Sequence, residues 1–207
     1  MKRTFLRSIL ILAALSAASG ADFARAAQDT PESVAKAYFA TLRSADWAKC
    51  ASLMHHDSLA SMKRTFAAAI NADKTGDAAK TIFKLKSVAE YSQLSDATVF
   101  ERVMDFITSV EPDMKTVLSS STNTILGRVD ESPDLAHIVL RSQTKIGGEE
   151  VNEVDLISFK KQDSSWRALL PSDIENMLNS LAEEIAPPSK EDERGAPAGA
   201  GRPPRKP

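Results

Sequence analysis

His55-His56-Asp57 is the densest cluster of chemically able side chains in this 207-residue sequence. Imidazole is the commonest metal ligand and the natural proton shuttle near neutral pH, and a neighbouring carboxylate would serve either role. The spacing argues against both. Adjacent histidines point in different directions, and zinc sites recruit further ligands at helical or hairpin spacing; the chain has neither a cysteine pair nor a His-x-x-x-His. The cluster reads as a helix-capping loop with Asp57 as the cap, and no metal is expected.

His137 and Arg141 form a second group. They lie four residues apart in a strand-like segment, hence on one face, with Gln143 and Asp155 expected nearby. Facing a cavity, Arg141 would orient an anionic ligand; facing water, the same residues make a solvated surface whose ion pair contributes little. The outward orientation fits better, because Ala136, Ile138 and Leu140 supply the cleaner apolar face. Tyr38, Asp105 and His137 have the residue types that an isomerase or dehydratase needs without a cofactor: a base in an apolar cavity and an opposed group that stabilises developing negative charge. Tyr38 also fits a core aromatic and Asp105 a solvated helix position. No catalytic motif stands out. Cys50, the sole cysteine, excludes an intramolecular disulfide and lies on an apolar helix stripe with Trp47 and Met54, as a small core residue would.

Helices come first in the chain. Thr30-Pro31-Glu32 opens one, with Thr30 as cap, Pro31 preset at the first turn and Glu32 at the positive dipole end. Val34, Ala37, Tyr38, Thr41 and Leu42 follow at helical spacing. Asp46 caps a short second helix with Trp47, Cys50 and Met54, and a third carries Leu59, Met62, Phe66 and Ile70. Ile82 to Val88 fits either strand or helix. Ser95-Asp96 caps a helix bearing Val99, Val103, Phe106 and Val110, which Glu111-Pro112 interrupts before a short turn around Met114 to Leu118.

After Ser119 the period becomes alternating. Thr122 to Asp130, Leu135 to Ile146, Val151 to Lys160 and Trp166 to Leu170 read as strands. Ser132-Pro133-Asp134, Gly147-Gly148 and Asp163-Ser164-Ser165 mark reversals, so the sheet is an antiparallel meander. A two-residue loop at Gly147-Gly148 would set Leu140 against Asp155 and Arg141 against Val154. A three-residue loop instead pairs Leu140 with Leu156, Val139 with Ile157 and Arg141 with Asp155, and is preferred because it matches like with like. Leu170-Pro171 ends the last strand, and Ser172 with Glu175 forms a capping-box pattern for a closing helix.

The two ends differ from this domain. Lys2, Arg3 and Arg7, an apolar run from Ile9 to Ala18, and Ala24-Arg25-Ala26 have the order of a secretory leader cut after Ala26, with Ser19 and Ala21 offering an earlier site. The run is too short for a bilayer span of roughly 20 residues, so no membrane anchor remains after cleavage. Losing residues 1–26 removes four basic groups and one acidic group, taking the formal charge from −2 to −5 and giving no basic face for nucleic acid. Residues 187–207 are rich in Pro, Gly, Ala and charge, a composition expected to be disordered.

The Pro31-Glu32-Ser33-Val34-Ala35-Lys36-Ala37-Tyr38 helix, the Asp46-Trp47-Ala48-Lys49 step to Leu53-Met54-His55, and the Ala136-His137-Ile138-Val139-Leu140-Arg141 strand followed by Trp166-Arg167 resemble exported proteins of the nuclear transport factor 2-like superfamily, which includes SnoaL-like and ketosteroid-isomerase-like groups. The resemblance covers about Thr30 to Leu170. It implies an α+β fold whose curved antiparallel sheet wraps N-terminal helices into a cone with a cavity, with 73–118 as a helical insertion inside a 28–186 domain. That scaffold hosts both enzymes and binding modules, so it does not settle function. The expected role is a periplasmic or secreted, non-enzymatic binding module for a small molecule or envelope protein, with a homodimer through the sheet among its contacts. A cofactor-independent isomerase or dehydratase is the alternative.

Overall fold

A computed structural model describes residues 29–146 and 149–185. The expected leader with its expected cleavage sites, the C-terminal tail and the Gly147-Gly148 tip lie outside the described residues. The elements run α1 (Pro31–Ser44), α2 (Trp47–Leu53), α3 (His56–Ala72), α4 (Asp77–Thr81), a 3-10 turn (Val88–Gln93), α5 (Asp96–Val110), α6 (Pro112–Ser120), β1 (Thr122–Ser132), β2 (Leu135–Ile146), β3 (Glu149–Gln162), β4 (Ser165–Ala168) and α7 (Ser172–Ile185). The class is α+β.

Short-range chemistry sets most of the helix starts. Thr30 accepts from the Ser33 N–H while the Ser33 side chain accepts from Thr30, a reciprocal box that satisfies two otherwise orphaned donors. Asp46 accepts from the Lys49 N–H, and Ser95 from that of Thr98. Pro112 occupies the first turn of α6, where its missing N–H costs nothing. Of the stretch Ile82 to Val88, residues 82–87 are neither strand nor helix and Val88 opens the 3-10 turn; Phe83 in this linker packs edge-on against Phe66 and Tyr91, at ring-centroid distances of 5.8 and 5.0 Å. The closing helix begins at Ser172, with the Glu175 N–H donating to the Pro171 carbonyl, and packs against α3.

The four strands form one curved antiparallel sheet in the order β1-β2-β3-β4. Asp163 and Ser164 join β3 to β4 with both φ angles positive, 50° and 68°, the geometry whose twist matches the flanking strands. The β2–β3 register corrects the expectation. Leu140 pairs with Asp155, Arg141 with Val154, Val139 with Leu156 and Ile138 with Ile157, and Ile146 lies opposite Glu149 across a two-residue connection. Arg141 and Asp155 therefore project from opposite faces, and the expected ion pair between them is absent. The three-residue loop was favoured by matching apolar with apolar on both faces; the fold instead sets buried Leu140 opposite Asp155 on the inner face and Val139 opposite Leu156 on the outer one.

The inner face is packed along Ala136 to Leu140, while Asp155 and Glu153 at its far end are exposed. Ala136, Ile138, Leu140, Ile157, Phe159, Trp166 and Ala168 are buried there in one core with Tyr38, Cys50, Phe66, Val99 and Val103 from the helices. Helix α1 lies on β2 and β4, and α6 on β2. Among the described residues no helix is long and apolar enough to cross a membrane.

Candidate functional site

His55 is the N-cap of α3, a correction to the expectation that Asp57 would be. Its Nδ1 accepts from the Asp57 N–H at 3.2 Å, doing with a ring nitrogen what a Ser or Asp oxygen does elsewhere. The ring also hydrogen-bonds the Lys161 backbone; with Nδ1 accepting, Nε2 is the nitrogen that donates. Only 1 % exposed, His55 is held below the usual imidazole pKa, because burial penalises the charged ring more than Asp57 favours it.

The surrounding bonds tie α3 to the sheet. The His55 N–H donates to the Ala168 carbonyl at 2.8 Å, the His56 N–H to Gln162 Oε1 at 3.0 Å, Lys160 Nζ to Asp57 Oδ2 at 3.1 Å, and the Leu170 N–H to Ser58 Oγ at 3.0 Å. Met54 extends the β4 edge by pairing with Ala168. Lys160 holds the Asp57 carboxyl below its usual range, chiefly by that hydrogen bond.

His55, His56 and Asp57 do bring one donor atom each within 4.8 Å of one another. The donor set nevertheless fits a metal poorly. His55 Nδ1 already accepts from the backbone, and the ammonium of Lys160 sits on the carboxylate that a cation would need. The cluster is a clasp.

The three candidate catalytic residues occupy three different environments. Tyr38 is in the core, 5 % exposed, and its hydroxyl pKa is raised by burial. Asp105 is exposed on α5. His137 lies on the outer sheet face, where Nδ1 is 2.9 Å from Ser158 Oγ and Nε2 is 2.8 Å from Glu131 Oε2. Glu131 only accepts, so Nε2 carries a proton; when Nδ1 carries none, it accepts from the Ser158 hydroxyl. This Ser–His–Glu chain, invisible in the sequence because Ser158 is 21 residues from His137, resembles a nucleophile relay. It lacks the partner that makes such relays work: strand N–H groups lie in the plane of the sheet and cannot converge on an oxyanion above Ser158. Cys50 is equally quiet, its thiol fully buried and pushed up to about 12, chiefly by that burial.

A groove of about 620 Å³ runs between α3 and the 3-10 turn, lined by Lys63, Arg64, Asn71, Val88, Tyr91 and Asp96. Three of its polar groups, Lys63, Tyr91 and Asp96, serve the fold. Lys63 Nζ donates to the Leu94 carbonyl at 2.6 Å and lies 3.3 Å from Asp96, while the Tyr91 hydroxyl donates to the Lys63 carbonyl at 2.9 Å.

The outer sheet face is different. Val129, Val154 and Leu156 are 55 %, 64 % and 57 % exposed. The ladder places Val139 beside Leu156, Val154 beside Arg141, and Val129 beside His137, so these side chains form one stripe across β1, β2 and β3. Leu126, at the bulge in β1, adds a further exposed side chain near its margin. Isolated exposed aliphatics are ordinary on a protein surface; a contiguous set framed by polar residues marks an interaction surface. Arg141, the residue expected to orient a ligand, stands at the edge of this stripe and makes no ion pair among the described residues.

Sequence reasoning missed the stripe because it expected the outer face to be polar. The signal was present in Val154-Asp155-Leu156, where apolar residues sit two apart and Leu140 opposite Asp155 fixes them outward. Comparison with protein-family models, with curated proteins and with solved structures gives no match to this chain.

Proposed function

We propose that this chain is an exported, non-enzymatic binding module whose outer sheet face docks a protein. The observation that carries the reading is the outer stripe of exposed Val129, Val154 and Leu156 with half-buried Val139 among them. The inner face, where a cone cavity for a small molecule would lie, is filled by Ile138, Phe159 and Trp166 against the helices. This favours an envelope protein over a small molecule as partner. The resemblance to nuclear transport factor 2-like proteins supports the same role, since that scaffold commonly serves as a platform, and the α+β order with an antiparallel meander is compatible with it.

Export rests on the basic, apolar and small-residue order of residues 1–26. The chain recovered from its host should begin at Ala27 by intact mass. Native mass spectrometry of protein released gently from the envelope tests the function. The reading expects assemblies heavier than one chain by a protein mass, lost when Val154→Asp and Leu156→Asp are combined. A bare monomer, or a monomer carrying a small organic mass, contradicts it.

The isomerase or dehydratase alternative would need Tyr38, Asp105, His137 or the His55 cluster around one enclosed void. Nothing in their placement in the core, on an exposed helix face, on the outer sheet and in a structural clasp favours it.

A further inference from the structure

We infer that the groove between α3 and the 3-10 turn binds an extended acidic peptide segment of another protein, with Arg64 holding an Asp or Glu carboxylate of that segment and Asn71 its backbone. The site goes beyond the outer-face reading and is separate from it: α3, the 3-10 turn and Asp96 of α5 line the groove, and no strand does.

Ala60, Lys63, Arg64, Ala67 and Asn71 recur at intervals of three and four residues or one further turn, so a single face of α3 forms one wall. At 1.5 Å per residue the wall from Ala60 to Asn71 is about 16 Å long. That is the span of about five residues of extended chain. A volume of about 620 Å³ lies within the range of ligand sites, and the elongated wall suits a strand-like segment better than a compact molecule. Half-buried Ala60, Ala67 and Val88 give the groove apolar contact surface.

The charges inside the groove do not balance. Lys63 lies 3.3 Å from Asp96 and matches the acid among the lining residues. Arg64 is left over: exposed, its guanidinium makes no hydrogen bond or ion pair among the described residues, and the Asn71 side chain makes none either. Neither serves the fold, and an Asn inside a helix is otherwise unfavourable. The guanidinium fork matches a carboxylate with two parallel N–H donors. A carboxamide carries one acceptor and a pair of donors, which match the N–H and C=O of a peptide backbone. The two side chains lie seven residues apart on one helix face, about 10.5 Å. Three residues of extended chain cover about the same distance. A segment gripped at its backbone by Asn71 therefore brings the side chain three residues along it to Arg64, and an Asp or Glu there supplies the missing negative charge.

The test titrates the full chain with two alanine-rich peptides, blocked at both ends and identical except for one central Glu or Gln, while following the NMR signals of the Arg64 Nε–H and the Asn71 side-chain amide. The Glu peptide should move both signals and bind at least about tenfold tighter than the Gln peptide, the difference made by a charge-assisted bond. Arg64→Gln should erase that preference with little effect on the Gln peptide, whereas Asn71→Ala should weaken both peptides alike, by about three- to tenfold. Because both side chains are exposed and unbonded, neither variant should melt below the parent. Equal binding of the two peptides, no movement of either signal, or a Glu preference that survives Arg64→Gln overturns the inference. Arg64 and Asn71 signals that already move when residues 187–207 are removed would make the chain's own Glu191-Asp192-Glu193 run the occupant, and overturn the partner segment. Combined Val154→Asp and Leu156→Asp should leave the titration unchanged, so failure at the groove does not touch the outer-face reading.

Discussion

His55→Ala separates a structural clasp from a metal or catalytic site. The substitution removes the α3 N-cap, which is worth about 1 kcal/mol. It also deletes the ring's hydrogen bond to the Lys161 backbone in a site only 1 % exposed, leaving an unpartnered group at about 1–3 kcal/mol. Together these give a loss of about 2–4 kcal/mol, or a fall in Tm of roughly 5–15 °C for a domain of this size. His55→Asn restores a good capping oxygen and should recover part of the loss. The pH dependence has a fixed sign. His55 titrates lower in the folded chain than the value near 6.5 of an unfolded histidine. Between those two values the unfolded chain holds a proton that the folded chain does not. The clasp's contribution is therefore full above about pH 6.5 and is lost as pH falls through the folded value, at up to about 1.4 kcal/mol per pH unit for one proton. Asp57, whose pKa is lowered, acts in a separate window: its contribution is present above about pH 4 and is lost as pH falls further. Thermal melts between pH 5 and 8, with and without a chelator, read all of this. A His55→Ala chain that melts within a degree of the parent, or a parent whose Tm drops on chelation, refutes the clasp.

Ser164→Gly should raise stability by about 1 kcal/mol, since Ser164 sits at φ 68° in a two-residue hairpin that glycine adopts without strain; a lower denaturation midpoint would contradict the turn geometry. A fluorophosphonate probe should leave Ser158 unlabelled despite its 2.9 Å contact with His137, because the strand offers no oxyanion donors. Stoichiometric labelling that disappears in His137→Ala would show instead that the relay is active.

The parts of the fold legible in the sequence are those governed by a residue's nearest neighbours. Thr30, Asp46 and Ser95 cap helices because a short side-chain oxygen reaches an N–H two or three residues on, and that geometry is written in residue type and spacing. His55 caps by the same geometry with a nitrogen, so a search for Ser, Thr, Asp or Asn passes over it and settles on Asp57. Its place is set by residues far along the chain: its own N–H donates to the Ala168 carbonyl, and its neighbours His56 and Ser58 bond Gln162 and Leu170. The inner sheet face was legible too: Ala136, Ile138 and Leu140 alternate, and all are buried. The register was not, for a reason that bears on function. Matching partners by polarity assumes that a sheet buries its apolar residues within its own chain; Val154 and Leu156 break that assumption by facing out. The residues that misled the register are the ones proposed to meet a partner, as expected where local consistency gives way at a functional surface.

A photo-activated cross-linking side chain placed at Leu156 in living cells tests the central claim most directly, with the same group at exposed Lys115 on α6 as the control. Docking through the outer face predicts a discrete adduct from position 156, heavier than the chain by a protein mass and suppressed by Val154→Asp, and none from position 115. Equal adducts from both positions, or none from 156, would contradict it.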